Sequence, residues 1–307
     1  MSPTSIRRVE RATRGGLIAL LSLVAAGCAV DRTGPTGQAS LSDAEAQLVG
    51  HEVAGEVQDV AGSFTLGDLM VPSFPSAGIA ASGGVQRSPM VNCPTITPNP
   101  PVDADGDHVP DDATLSFTLP DCSFARDGAT FEITGSIHIT DPSTTAFGIR
   151  LVFTDLQHKL TRAGGAFSSS RLNGARQVLR SASEFSLHDT TTVDLESSEH
   201  GAAQLAKAWV VGFVVDAGQT FDQTRHLPSG NLTVNGSLTH TRGTTTRTFG
   251  VTTVTPLHHD ATCTARPAFT SGELRVVKTG PDGTATIHIV FTGCGVEPTV
   301  TVERSTA

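Results

Sequence analysis

Apolar and polar residues alternate along the chain from Thr114 onward, and this period of two constrains the fold more than any other feature. Successive side chains of a β-strand point to opposite faces of a sheet, so an alternating segment forms a strand with one buried face. Turn residues such as Asp127-Gly128 and Asp141-Pro142 separate the segments. The first alternating positions are Leu115, Phe117 and Leu119, then Phe131 and Ile133, then Ile137 and Ile139, and then Phe147, Ile149, Leu151 and Phe153.

Similar runs continue toward the C-terminus, and they predict one antiparallel β domain over residues 114–307. They lie near 185–195, 209–215, 232–238, 249–254, 274–277 and 287–291. The last two are joined by Thr279-Gly280-Pro281-Asp282-Gly283, which is typical of a hairpin turn. The predicted fold is mainly β, a large antiparallel meander in the form of a curved sheet, an open barrel or a sandwich. Residues Gly201 to Ala208 could instead form a helical turn.

A weak internal repeat pairs the segment from Phe131 to Thr140 with the segment from Leu232 to Thr241. Both keep the order apolar, apolar, polar, Gly, Ser, apolar, which puts Gly135 and Gly236 where a strand bends or bulges. A weaker match to the same repeat is Ser271-Gly272-Glu273-Leu274. The similarity implies two related halves of one curved sheet, unless it reflects only the composition that strands share.

A single helix is predicted before the strands, from about Ser42 to Ala61, within a segment 41–70 that packs on the sheet. Ser42 can cap it, Glu45 completes a capping box, and Leu41 can act as a hydrophobic staple. Its apolar stripe consists of Val49, Val53, Val57 and Val60. The acidic polar face, with Asp43, Glu45, Glu52, Glu56 and Asp59, argues against a helix lying on a membrane surface.

The N-terminal residues form an apolar run from Gly15 to Cys28, preceded by Arg7, Arg8, Arg11 and Arg14. Cationic residues followed by a short apolar segment and small residues are typical of a secretory signal peptide. The run from Leu17 to Ala26 is about half of the roughly 20 residues that span a bilayer, which argues against a permanent transmembrane helix.

The end of this run, Ala25-Ala26-Gly27-Cys28, resembles the lipobox of bacterial lipoproteins, although Ala25 stands where leucine is usual. The resemblance implies a signal peptide over residues 1–27, cleavage before Cys28 and a covalent diacylglycerol thioether on its sulfur. Residues 28–40 would then be a flexible tether to the membrane. Ala29, in the place of aspartate, implies the outer membrane, with the protein facing the periplasm or the cell surface. The alternative is an ordinary secretory signal that ends near a chance cysteine.

The net charge restricts the partners of the exported chain. The formal charge is −9, and residues 1–27 contribute four arginines and one glutamate, so the remaining chain carries −12. Because phosphate contacts need a basic surface, the sequence predicts no nucleic-acid partner. A membrane contact through the lipid anchor is expected, and a protein or small-molecule partner remains unidentified.

Four cysteines follow Cys28, and an even number outside the cytosol favours disulfides. They are Cys93, Cys122, Cys263 and Cys294. Local pairing, of the first with the second and the third with the fourth, is preferred because each pair encloses one compact stretch. Metal ligation is the alternative, but the chain has no C-x-x-C spacing.

The strongest chemical motif is the acidic run 103–112, inside a proline-rich loop predicted over residues 71–113. Aspartates at alternate positions of a tight loop converge on a hard cation, and calcium is the natural occupant. The run resembles the calcium loops of thrombospondin type 3 repeats, with His108 in place of the usual glycine. The resemblance implies a structural calcium between Cys93 and Cys122, held by Asp103, Asp105, Asp107, the carbonyl of Val109, and Asp111. The alternative is a solvated acidic turn.

The sequence contains no complete catalytic motif. His51-Glu52 begins like a zincin motif, but Gly55 stands where the second histidine is required. His258-His259-Asp260 could bind a transition metal or hold a proton, yet adjacent strand residues face opposite sides of a sheet, which favours a polar turn.

The sequence therefore predicts a lipid-anchored exported envelope protein with a non-catalytic structural or binding role. The alternatives are a carrier of apolar ligands or lipids, with a cavity between sheet and helix, and a hydrolase with a dispersed active site.

Overall fold

The computed structural model describes residues 41–62, 93–126, 128–143, 146–199, 201–221, 227–280 and 283–305. Within these ranges the chain forms one helix and thirteen strands. They are α1 (Asp43–Gly62), β1 (Thr95–Val102), β2 (Asp112–Phe117), β3 (Ser123–Arg126), β4 (Ala129–Thr140), β5 (Gly148–Thr161), β6 (Phe167–Arg180), β7 (Glu184–Ser197), β8 (Gly201–Val215), β9 (Gly230–Arg242), β10 (Thr245–His259), β11 (Phe269–Gly280), β12 (Gly283–Phe291) and β13 (Thr299–Ser305).

All thirteen strands belong to one antiparallel sheet that follows the order of the chain. The order is β1-β2-β4 and then consecutively to β13, and the short β3 pairs with β4 beyond the end of β2. β1 and β13 are the two edges, so the sheet is open. The prediction of a mainly β antiparallel meander with one helix is confirmed, and so is the hairpin between β11 and β12.

Two local predictions differ from the structure. Residues 201–208 continue β8 as a regular strand instead of a helical turn, because they pair with β7 along their whole length. Part of the predicted proline-rich loop forms the edge strand β1. An edge strand tolerates prolines because their missing N–H groups can lie on the side that pairs with no further strand. The predicted signal peptide, the tether and residues 63–92 lie outside the described residues.

The predicted capping box forms at the start of α1. The backbone N–H of Glu45 donates to Ser42 Oγ over 3.2 Å, and the N–H of Ser42 donates to Glu45 Oε2 over 2.8 Å. Leu41, which precedes the cap, is 3% exposed. These contacts fix the point at which the chain enters the helix.

The valine stripe of α1 packs on the buried face of the sheet. Val49, Val53 and Val57 are at most 3% exposed, and the helix contacts β12 and β13. Gly50 allows this approach, because a Cβ there would lie 2.6 Å from Val300 Cγ1. Burial of a valine side chain contributes about 1.5 kcal/mol or more. Within the described residues, no helix is long and apolar enough to cross a membrane.

Glycines in the left-handed region bend the strands where neighbouring backbones approach closely. Gly135 has φ 102° and lies at a register shift between β4 and β5, as predicted. Gly236 has φ 146°, and a Cβ there would lie 2.0 Å from the carbonyl oxygen of Ala208. Gly174 on β6 and Gly272 on β11 have the same conformation, with φ of 115° and 124°. These positions allow a long sheet to curve around its core.

We expect Gly236→Ala to lower the free energy of unfolding by about 2–4 kcal/mol, because it adds both backbone strain and a clash. Gly250→Ala on the adjacent strand is the matched control. A Cβ there would meet no atom closer than 4.0 Å, so its effect should stay within about 1 kcal/mol. Urea unfolding measures both values, and equal losses in the two variants would contradict this account of the bend.

Candidate metal centre and further polar sites

The acidic loop connects β1 to β2 and is anchored at both ends. Val102 pairs with Asp112 across the hairpin, and the N–H of Asp111 donates to the carbonyl oxygen of Val102 over 2.9 Å. Within the loop, the side chain of Val109 is fully buried in the core. The loop is therefore held against the sheet.

Three of the predicted ligands converge in this loop. Asp103, Asp105 and Asp107 each place a carboxylate oxygen within 4.8 Å of the other two. Carboxylate oxygens of Asp103 and Asp107 also accept hydrogen bonds from loop N–H groups, which hold the side chains in place. These bonds are Gly106 N to Asp103 Oδ1 (2.8 Å), His108 N to Asp103 Oδ2 (3.0 Å) and Val109 N to Asp107 Oδ1 (2.7 Å).

One carboxylate oxygen in the loop lacks a partner. Asp107 Oδ2 is buried and accepts no hydrogen bond. Burial raises the pKa of Asp107, the backbone N–H of Val109 opposes this, and the carboxylates of Asp105, Asp141 and Asp103 raise the pKa further. A bound cation would supply the missing partner and relieve the repulsion, so the donor set fits a hard divalent ion.

Asp111, another predicted ligand, makes a different contact. Asp111 Oδ1 accepts the N–H of Ala104 over 3.3 Å, and Asp111 is not one of the three convergent carboxylates. Asp141, which the sequence pattern missed, acts on Asp107 because the loop after β4 returns beside it; its N–H donates to Asp111 O over 3.3 Å. No local spacing could have identified Asp141, since the contact is made through the sheet.

His108 adopts a left-handed backbone conformation within the acidic loop. Its φ is 73°, in the region where glycine is favoured. The cost of that conformation for a residue with a side chain is about 1–2 kcal/mol.

The four cysteines after Cys28 form the two local pairs that were preferred. Cys93 pairs with Cys122 and Cys263 with Cys294, with Cα atoms 5.2 and 5.8 Å apart. The first disulfide closes the part of the chain that contains the acidic loop.

The two adjacent histidines near the end of β10 have separate partners. His258 lies 3.0 Å from Asp216 through Nε2 and 2.8 Å from Thr270 Oγ1 through Nδ1. His259 is buried and lies 3.1 Å from the carbonyl oxygen of Pro228. Among the described residues, the convergent group of metal-ligating side chains is in the acidic loop and not here.

Three acidic residues of α1, Glu45, Glu52 and Glu56, lie against the sheet. Glu45 pairs with Arg247 on β10 at 3.0 Å, and Glu56 pairs with Lys207 on β8. Glu52 lies between them, with Oε1 3.6 Å from His240 Nε2 on β9. No local sequence pattern indicates the contact between Glu52 and His240, because it forms only when the helix packs on the sheet.

A further buried ion pair crosses β6 and β7. Arg176 donates to Asp189 Oδ2 over 2.8 Å, and the hydroxyl of Thr191 donates to the other oxygen over 2.7 Å. The two charged side chains are 12% and 4% exposed. The two side chains compensate each other's charge, which the apolar residues around them cannot do.

A polar groove of about 420 Å³ lies on the outer face of the sheet. Five of its side chains form one row, because each is the register partner of the next: Gln157, Arg171, Asp194, Gln204 and Thr241 on β5 to β9. Gln204 Nε2 donates to Asp194 Oδ1 over 2.7 Å. Arg171 is exposed and makes no such bond within the described chain, so its guanidinium is available to a ligand.

Comparisons of the chain with protein-family models, with curated proteins and with solved structures find no match. Functional inference therefore depends on the residues and their geometry.

We expect Arg176→Met to lower the free energy of unfolding by about 3–5 kcal/mol, because it leaves the Asp189 carboxylate buried without a cation. Arg171→Met on the same strand removes an exposed arginine that has no partner, so it should change stability by less than about 0.5 kcal/mol. Thermal or urea unfolding compares the two. A loss below about 1 kcal/mol in Arg176→Met would contradict this account of the buried ion pair.

Proposed function

We propose that this chain is a lipid-anchored, exported protein of the cell envelope with a non-catalytic structural or binding role. The observation that carries the proposal is the pairing of cysteines. The four that follow Cys28 pair with one another, as expected in an oxidising compartment. This pairing leaves the Cys28 thiol for the thioether that the lipobox resemblance implies.

The location follows from the same anchor. A diacylglycerol group and an added acyl chain hold a protein stably at a membrane, since each buried methylene contributes about 0.8 kcal/mol. Ala29 after the cysteine favours the outer membrane, with the sheet facing the periplasm or the cell surface. The partner through the anchor is the membrane itself.

We assign the acidic loop to a structural calcium ion, with Asp103, Asp105 and Asp107 as side-chain ligands. The support is the convergence of their oxygens within 4.8 Å and the unpartnered Oδ2 of Asp107. Val109 would contribute its carbonyl oxygen and Asp111 a further carboxylate, as in the resembled repeats. The ion would rigidify the β1–β2 hairpin beside the Cys93–Cys122 disulfide.

We assign the binding role to the outer groove. Its row of side chains combines a free guanidinium, a carboxylate, two amides and a hydroxyl on five neighbouring strands, which suits a polar ligand. The strands are rigid, so the groups are held at fixed spacing.

A hydrolase is the second candidate, because the same groove holds two carboxylates. Asp194 and Glu196 are two residues apart on β7, so their side chains share the outer face. Paired carboxylates are the groups that acid–base hydrolysis uses.

The carrier of apolar ligands has less support, since the described contact between α1 and the sheet is filled by valines that are at most 3% exposed.

For the anchor, we expect mass spectrometry of the mature protein to find an N-terminal Cys28 that carries a diacylglyceryl group. Cys28→Ala should move the protein from the detergent phase to the aqueous phase in a detergent partition experiment, because no acyl chain then holds it. Cys93→Ala/Cys122→Ala, which alters another cysteine pair, is the control and should remain in the detergent phase. An unmodified peptide that contains a free Cys28 would refute the anchor.

For the metal, we expect calcium at ten times its dissociation constant to stabilise the protein by about 1.4 kcal/mol. Sites in extracellular modules bind at about 0.1–1 mM, which sets the concentrations to use. Asp105→Asn should abolish the stabilisation, whereas Asp121→Asn, an exposed aspartate outside the loop, should keep it. Identical melting of the wild-type protein in calcium and in chelator would refute the site.

A further inference from the structure

Glu52 is the least compensated charged group under α1. Its side chain is 4% exposed, and neither carboxylate oxygen has a hydrogen-bond partner. His240 Nε2 on β9 lies 3.6 Å from Glu52 Oε1, and that nitrogen is also buried without a hydrogen-bond partner among the described residues. Two buried groups that lack partners and face each other across this gap require a common explanation.

The neighbouring cations are already engaged. Lys207 pairs with Glu56, and Arg247 pairs with Glu45. Among the described residues, the charged groups that act on Glu52 or His240 are Glu56 on α1, Lys207 on β8 and Arg247 on β10, and the buried Lys278 lies on β11, which pairs with β10. Lys207 and Arg247 are already paired with other carboxylates. An ionised Glu52 beside a neutral His240 would therefore be an unpaired buried charge, which is strongly unfavourable.

We propose that Glu52 and His240 hold one proton between them, and that this shared proton keeps the docking of α1 on the sheet insensitive to external pH. The proton resides on the Glu52 carboxyl group, which faces the neutral imidazole of His240 across 3.6 Å. The pair as a whole then adds no net charge to the interface. An envelope protein benefits from this property because the cell does not buffer its surroundings.

The direction of each pKa supports the pairing. Burial, with a smaller contribution from Glu56, raises the pKa of Glu52 from 4.5 to about 7, although Lys207 opposes it. Burial lowers the pKa of His240 from 6.5 to about 4. The folded pair therefore holds one proton from about pH 4 to about pH 7.

The unfolded chain holds the same number of protons over most of that window. At the ordinary values of 4.5 and 6.5, the unfolded pair carries one proton on the histidine between these limits. Stability changes with pH only where folded and unfolded states bind different numbers of protons. The two residues thus cancel each other, and the pair changes the unfolding constant by only about twofold between pH 4.5 and 8.

Each residue alone would be strongly pH-dependent, with opposite signs. For Glu52 alone, the raised folded pKa gives stability that is present below pH 4.5 and is lost as pH rises to about 7. For His240 alone, the lowered folded pKa gives stability that is present above pH 6.5 and is lost as pH falls to about 4.

The test is urea unfolding of the full-length chain at pH 4.5 and pH 8.0, followed by the fluorescence of Trp209, the single tryptophan, which is 2% exposed. Relative to wild type, the unfolding constant of Glu52→Gln should be about 100-fold larger at pH 4.5 than at pH 8.0. His240→Gln should show the reverse, about 100-fold larger at pH 8.0 than at pH 4.5. Comparison with wild type removes the contribution of His158 and the other histidines.

Two controls separate this effect from a general loss of packing. The double variant Glu52→Gln/His240→Gln should again match the pH dependence of wild type. Gln47→Ala removes an uncharged contact between α1 and β13, so it should change the unfolding constant by the same factor at both pH values. Single variants that lose stability equally at both pH values, or with the same sign, would overturn the proposal.

A direct titration of His240 by NMR in the wild-type protein provides a second measurement that needs no variant. A midpoint near pH 4 supports the shared proton on the carboxyl group. A midpoint above 6.5 would identify an ordinary ion pair, and the proposal would fail.

Discussion

The main constraint on the structure is that one face of a thirteen-stranded sheet must be buried, while only one described helix packs on it. An antiparallel sheet can leave one face in water, but the other must be buried. One helix of 20 residues covers only part of such a face, so the sheet has to curve and bury the rest against itself. The left-handed glycines on β4, β6, β9 and β11 allow this curvature, because their neighbours' backbones approach to distances that a Cβ would prevent.

The open edges are protected in two different ways. β1 carries three prolines, Pro98, Pro100 and Pro101, which remove N–H donors that another strand could use. At the opposite edge, the side chain of Gln47 on α1 donates to the carbonyl oxygen of Val300 on β13 over 2.9 Å. Arg304 on β13 also binds Asp43 at the start of α1. The helix therefore both covers the sheet and protects its last strand.

The features that local sequence determines were predictable, and those that depend on distant contacts were not. Alternation identified the strands, Ser42 and Glu45 identified the start of the helix, and proximity in sequence identified both cysteine pairs. The regular strand at 201–208 was uncertain because Ala202, Ala203, Ala206 and Ala208 give no clear alternation. The acidic loop was recognisable from its aspartates, whereas Asp141 reaches it only through the sheet. The roles of Glu52 and Lys207 could not be predicted, since the sequence does not show which strands lie under the helix.

The ion pairs under α1 determine where the helix docks more than how tightly it docks. Apolar contacts alone would tolerate a shift of the helix along its axis, because valines at several positions are nearly equivalent. Glu45 and Glu56 instead pair with Arg247 on β10 and Lys207 on β8, and Glu52 faces His240 on β9 between them. A shift of one turn would leave each acid beside the wrong strand and at least one buried charge unpaired. Because removing one partner of a buried pair costs about 3–5 kcal/mol, misaligned positions are strongly disfavoured even where the valines would still be buried.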